Sequence, residues 1–156
     1  MVKKEPYVER LLESEHFRNG RTVAMVCELT AYCPGACCNT EHVTGDNGEL
    51  AIDWSDQLAV GGLSIRALLD SGIRPAAVDS SLIPFGSIID CDGVLYVALD
   101  RGGAIRGTRI DLAMDAHDEC VEFGRRRNRT VTVHVPRSPS AVVGMIREKY
   151  GLRGDR

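Results

Sequence analysis

From residue 76 to residue 135 the chain is written in short stretches whose apolar residues fall at every second position, and no other feature limits the possible folds as much. In the stretch 94–100, Leu95, Val97 and Leu99 take one side and Tyr96, Ala98 and Asp100 the other. In 108–114, Ile110, Leu112 and Met114 stand opposite Arg109, Asp111 and Ala113, and in 130–135 Val131, Val133 and Val135 share a face. A period of two is the signature of a strand. Turn chemistry separates the stretches. A short strand at 76–79 runs into Leu82-Ile83-Pro84-Phe85-Gly86, and the strand 87–91 ends on Asp92-Gly93, a strong hairpin signal. Upstream, 21–32 is rich in β-branched residues and reads as one more strand. Many short strands with a few short helices predict a mainly β fold, a small β-barrel.

Helical spacing occurs in four places. Val8, Leu11 and Leu12 mark a short amphipathic helix over 7–18, and residues 63–69 another, stopped by Gly72 and Pro75. Asp115 fits the N-cap of a third, with Asp118 and Glu119 in its first turn, Cys120 and Phe123 facing inward and Gly124 closing it. Ser138-Pro139 opens the last helix and Gly151 ends it. Residues 33–62 read as irregular, punctuated by Gly35, Gly45, Gly48, Gly61 and Gly62. The expected organisation is an N-terminal helical extension over 1–20, a barrel over 21–136, and a C-terminal helix and tail over 137–156.

Composition excludes several functions. A chain of 156 residues, 44% apolar, can bury a core of its own. Aromatics at 5% and a net charge of -3 supply neither a base-stacking platform nor a general polyanion surface, so no nucleic-acid partner is expected. The run Arg125, Arg126, Arg127 and Arg129 reads as a solvated turn. No apolar run approaches a membrane span, and Met1-Val2-Lys3-Lys4 leads into charged residues instead of the apolar part of a signal peptide. Cys27 and Cys120 sit in apolar settings and read as core. Cys33, Cys37, Cys38 and His42 have zinc-ligand chemistry, but adjacent cysteines are awkward ligands and no second pair stands at finger spacing. No metal and no cofactor are expected.

Three carboxylates carry the chemistry: Asp79, Asp100 and Asp111. The loop between the last two, Asp100-Arg101-Gly102-Gly103-Ala104-Ile105-Arg106-Gly107, is glycine-rich and would let a backbone approach a ligand closely. If it folds Asp100 onto Asp111, their like charges raise one pKa into the range of a general acid. The alternative is that each carboxylate caps a turn or pairs with Arg101, Arg106 or Arg109.

These residues also carry a family resemblance. Thr30-Ala31-Tyr32-Cys33 with Cys37-Cys38, Ala77-Val78-Asp79 with Leu82 to Gly86, and Asp100 to Gly107 followed by Arg109-Ile110-Asp111 and Asp115-Ala116-His117 resemble the motifs of the three-aspartate ("3D") domain. Phe123-Gly124-Arg125-Arg126 and the strand 130–135 resemble its close, so the likeness runs over about 29–135. It implies a double-psi β-barrel, related to the catalytic barrel of membrane-bound lytic transglycosylase A. The implied reaction is cleavage of peptidoglycan between N-acetylmuramic acid and N-acetylglucosamine, leaving a 1,6-anhydro sugar, outside the cytoplasm. Asp111 matches the catalytic acid, Asp100 and Asp79 its carboxylate neighbours, and Asp115 the third aspartate of the family name, besides its helix-cap reading. Thr30, Tyr32, Gly102, Gly103, Ala104, Arg106 and Asp115 would contact the glycan strand. The same barrel type also serves expansin-like glycan binding without cleavage, the alternative function. Residues 49–74 depart from the family and look like an insertion; Trp54 within it could stack on a sugar, although packing explains a tryptophan equally well. In an oxidising compartment Cys33 is expected to pair with Cys37 or Cys38, or all three stay reduced and packed.

Overall fold

The computed structural model describes residues 6–34, 43–44, 50–52, 58–102 and 104–151, with backbone alone at 43–44 and 50–52. Gly103, Trp54, Cys37, Cys38 and His42, and with them the questions of the zinc site and of the Cys33 bridge, lie outside the described residues. The chain begins with two helices, α1 (Tyr7–Glu13) and α2 (Glu15–Arg18), where the spacing predicted one. Ser14 makes the break: it is extended, and its hydroxyl donates to the Leu11 carbonyl at 2.6 Å. Then come β1 (Arg21–Tyr32), the small pair β2 (Val43–Thr44) and β3 (Leu50–Ile52), α3 (Ile65–Asp70), β4 (Pro75–Ala77), β5 (Ile88–Cys91), β6 (Val94–Asp100), β7 (Arg109–Ala113), α4 (His117–Phe123), β8 (Arg126–Val135) and α5 (Pro139–Tyr150).

Six strands close into a barrel in the order β1-β7-β4-β6-β5-β8. Two neighbouring pairs, β1/β7 and β4/β6, are parallel and the rest antiparallel. An up-and-down barrel would contain no parallel pair; here the chain crosses over to insert β7 between β1 and β4. The predicted Asp92-Gly93 hairpin joins β5 to β6, with both residues at positive φ (52° and 90°).

The alternation sorts side chains into two cores. Cys27, Leu29, Ala76, Val78, Ile89, Tyr96, Ala98, Ile110, Leu112, Val131, Val133 and Val135 fill one cluster, the barrel interior. The opposite faces of β4, β5, β6 and β7 are largely covered as well. Ala77, Ile88, Val97, Leu99 and Ala113 join α1, α3 and α5 in a second cluster with Val8, Leu11, Leu68, Val142 and Ile146. Layering on both sides explains why β6 is buried continuously from Tyr96 to Asp100. At Gly86 an added Cβ would lie 2.5 Å from the Pro139 carbonyl oxygen, so only glycine lets the turn before β5 touch the start of α5.

Two local expectations are corrected. The N-cap of α4 is Ala116, without a side-chain cap bond, and Asp115 lies one residue too early to serve. The arginine run is not a turn: Arg126, Arg127 and Arg129 belong to β8. What looked like a turn signal is a strand irregularity, with Asn128 at φ 57° opposite a register shift between Cys27 and Leu29.

Candidate active site

The pairing registers place the key residues in one row. Thr30 on β1 pairs with Asp111 on β7, Asp111 with Ala77 on β4, and Ala77 with Asp100 on β6. Neighbouring strands lie about 4.8 Å apart, so the backbones at Asp111 and Asp100 stand about 10 Å apart, with Ala77 on the strand between them. Ile110 and Leu112 point into the barrel, which turns Asp111 to the outer face. Simple alternation would send Asp100 inward with Tyr96 and Ala98. The register shift between Ala76 and Ala77 prevents this, and the Asp100 carboxylate instead meets Tyr32, a member of the outer cluster.

Asp111 is half-buried. Its Oδ1 accepts from the Thr30 hydroxyl at 3.0 Å. Burial raises its pKa to about 6; the Thr30 bond and the Arg109 cation oppose the rise, and the negative Asp100 adds to it. A carboxyl poised there can donate a proton near neutral pH and take one back.

Asp100 is 7% exposed and differently supplied. Its Oδ2 accepts from the Tyr32 phenol at 3.1 Å, and its Oδ1 from the backbone N–H groups of Ala59 and Arg101, both at 2.9 Å. The Tyr32 phenol is pushed well above its usual pKa, by burial first and then by Asp100 and Asp111, so it remains a donor. Asp100 therefore ties three segments together: β1 through Tyr32, the chain before α3 through Ala59, and β6.

Asp79 stands apart from this pair. Its oxygens accept from the Ser81 hydroxyl (2.6 Å), the Ser81 N–H (3.1 Å) and the Gly107 N–H (2.9 Å). The Ser81 and Gly107 bonds hold its carboxyl below the usual range, with a smaller contribution from Arg106. It latches the turn after β4 to the end of the glycine-rich loop, which positions the start of β7. Asp115 is exposed; Arg66 on α3 meets its Oδ1 at 3.3 Å and its backbone carbonyl at 2.6 Å. Ala104 and Arg106 are exposed on the loop, and Gly102 is packed so that an added Cβ would press on Ile105 at 3.0 Å.

Of the sequence candidates, then, Thr30, Tyr32, Asp100 and Asp111 come together, while Asp79 and Asp115 brace the loops around them. Sequence reasoning did not single out Ala59 and Arg66, which carry no motif. It also passed over Glu28, although its place two residues before Thr30 puts it on the same face of β1. Glu28 lies opposite Arg109, with Oε2 and Nε 3.7 Å apart. No group of three or more His, Cys, Asp or Glu with metal-holding geometry occurs among the described residues.

Residues 74–135, the segment that holds Asp79, Asp100, Asp111 and Asp115, match the family model of the 3D domain. The family is linked to peptidoglycan-related lytic function. The match starts after β1; Thr30 and Tyr32 enter the site by strand pairing. A stretch of 63 residues is 36% identical to the SPbeta prophage-derived uncharacterized protein YorM of Bacillus subtilis (strain 168). That stretch is 38% of this chain and 26% of the prophage protein, so the chain covers only a minor part of that relative. No helix among the described residues is long and apolar enough to cross a membrane.

Proposed function

We propose that the protein is a lytic transglycosylase acting on peptidoglycan outside the cytoplasm, with Asp111 as its general acid and base. The observation that carries the reading is a half-buried carboxyl with its pKa raised to about 6, set on the outer face of a strand within the segment that matches the 3D domain. Protonated Asp111 gives its proton to the oxygen linking N-acetylmuramic acid to N-acetylglucosamine. That C–O bond breaks and the N-acetylglucosamine side leaves as an alcohol. The muramoyl C6 hydroxyl attacks its own C1, and the Asp111 carboxylate takes the hydroxyl proton. The acid is regenerated, and a 1,6-anhydro sugar forms without consuming water. A second carboxylate is needed where an external water must be activated or a covalent glycosyl-enzyme is formed. Here the nucleophile is tethered in the substrate, so one carboxyl serves both steps.

Thr30 fixes Oδ1 and leaves Oδ2 to carry the proton. Asp100, held by its own donors, adds negative potential and keeps Tyr32 in place. The test is mass spectrometry of peptidoglycan incubated with the pure protein. Anhydro-muropeptides are expected from the wild type and none from Asp111→Asn. A wild type that binds glycan and releases no anhydro product would transfer the reading to a non-catalytic, wall-loosening barrel.

A further inference from the structure

Of the arginines around Glu28, Arg109 moderates the Asp111 pKa; the others take no part in the chemistry above, yet they adjoin it. On the outer face of β1 and β7, the Glu28–Arg109 pair lies two residues before the Thr30–Asp111 pair. Two residues along a strand span about 7 Å. Three guanidiniums converge on this one carboxylate: Arg109 Nε at 3.7 Å from Oε2, Arg125 Nε at 3.7 Å and Arg127 Nε at 3.2 Å from Oε1. Three cations against one anion leave a formal excess of two positive charges. Glu28 cannot satisfy them. Among the described residues, only Arg127 of the three makes a hydrogen bond to it, and the Arg109 Nε is buried with no hydrogen-bond partner. The side chains of Arg125 and Arg127 are 50% and 71% exposed. Each guanidinium offers five N–H donors in a planar fork shaped for an oxyanion, more than the one Glu28 carboxylate can engage.

We propose that this cluster is an anion-binding subsite that takes a carboxylate of the peptide borne by the sugar whose bond is cut. The proposal rests on reading Asp111 as the acid of a wall-glycan cleaving site. In such a glycan the peptide and the scissile bond belong to the same sugar unit, which suits a cationic cluster one step along the strands from the acid. Glu28 gathers the arginines while the ligand is absent, and the carboxylate then takes their remaining donors as charge-assisted bonds.

The test uses the disaccharide-tetrapeptide of peptidoglycan, which ends in muramic acid and lacks the cleavable bond, beside the same molecule with its carboxylates amidated. By calorimetric titration at low salt, the wild type is expected to bind the free acid about tenfold more tightly than the amide, a gap that narrows as salt screens it. The double variant Arg125→Gln/Arg127→Gln changes two exposed side chains and should bind both ligands equally, as weakly as the wild type binds the amide. Equal binding by the wild type, binding of neither ligand, or a double variant that keeps the gap would overturn the subsite. Release of anhydro product from intact peptidoglycan is read separately: an arginine-dependent gap without product sinks the cleavage reading and leaves the subsite standing.

Discussion

Asp100 and Asp111 stand on one row of the same barrel face, two strands apart, and their surroundings make them different objects. Around Asp100 the chain converges: a phenol and two backbone N–H groups engage both carboxylate oxygens in a nearly closed setting. Around Asp111 it thins: one hydroxyl donates, and the nearby Arg109 is shared with Glu28. Burial acts on both. The supply of donors separates a carboxylate fixed as an anchor from one left able to exchange a proton. The more buried aspartate has the partners of a structural anchor, and the half-buried aspartate with fewer partners is the one we propose for the chemistry.

The sharpest way to break this contrast is to substitute each side. Asp111→Asn is expected to leave the barrel folded and to lower anhydro-product release by about a thousandfold, since the amide can neither donate nor recover the proton. Retained wild-type release would end the assignment. Asp100→Ala strands the buried Tyr32 hydroxyl and two backbone donors, and should cost about 2–4 kcal/mol of stability, read as a lowered denaturant midpoint. A variant as stable as the wild type would remove the anchor role. Crossed outcomes, with Asp111→Asn unfolding and Asp100→Ala merely inactive, would reverse the comparison.

Proton linkage sharpens the same contrast. The proposed cleavage needs Asp111 protonated, so kcat/KM is expected to fall about tenfold per pH unit once pH passes about 6. Stability carries the matching sign. The folded chain holds the Asp111 proton up to about pH 6 and the unfolded chain only to its ordinary value of 3.8, so the folded state binds more protons between them. Stability from this group is greatest below that window and declines as pH rises through it. Asparagine carries no charge and escapes the decline. Asp111→Asn should therefore be more stable than the wild type at pH 8, by about 1–2 kcal/mol after allowing for partial solvent access, and gain nothing at pH 3. Melting curves at the two pH values decide it; a variant destabilised at pH 8 would mean that the carboxylate is held by partners after all.

The strands were legible because each obeys a local rule. Period-two patterning located β6, β7 and β8, and Asp92-Gly93 located the hairpin. Alternation also put Asp111 on the face away from Ile110 and Leu112, and the structure keeps it there. What failed depends on pairing across the sequence. No local pattern says that the β4–β6 register shifts at Ala77, so the outward turn of Asp100 could not be read. Asp115 has the composition of an N-cap, but α4 starts one residue later than that reading required, and Arg66, 49 residues away, binds it instead. Four arginines near a glycine resemble a solvated turn; the place of Arg126, Arg127 and Arg129 in β8 follows from antiparallel pairing with β1, more than 100 residues earlier at the strand's far end. The family motifs identified Asp79 by type, whereas its partners Ser81 and Gly107 give it the work of a loop latch.

The smallest expected effect tests the single donor that distinguishes the Asp111 side. The Thr30 hydroxyl donates to Asp111 Oδ1 at 3.0 Å, and this bond favours the charged carboxylate and lowers its pKa against the effect of burial. Thr30→Val keeps the side-chain volume and removes the donor. The Asp111 pKa should then rise further, and the falling limb of the kcat/KM profile should move to higher pH by up to about one unit, the value of one modest hydrogen bond. At low pH, where the carboxyl is already protonated, Thr30→Val should be slightly slower than the wild type, because Oδ1 has lost the contact that orients it. Thr30→Ser restores a hydroxyl at the same place and should return both limbs. A merely packing role for Thr30 would lower the whole profile without displacing it. Displacement toward lower pH would mean that the hydroxyl accepts from a protonated Asp111 and does not donate to it, and the proton on Asp111 would then have to be assigned to Oδ1.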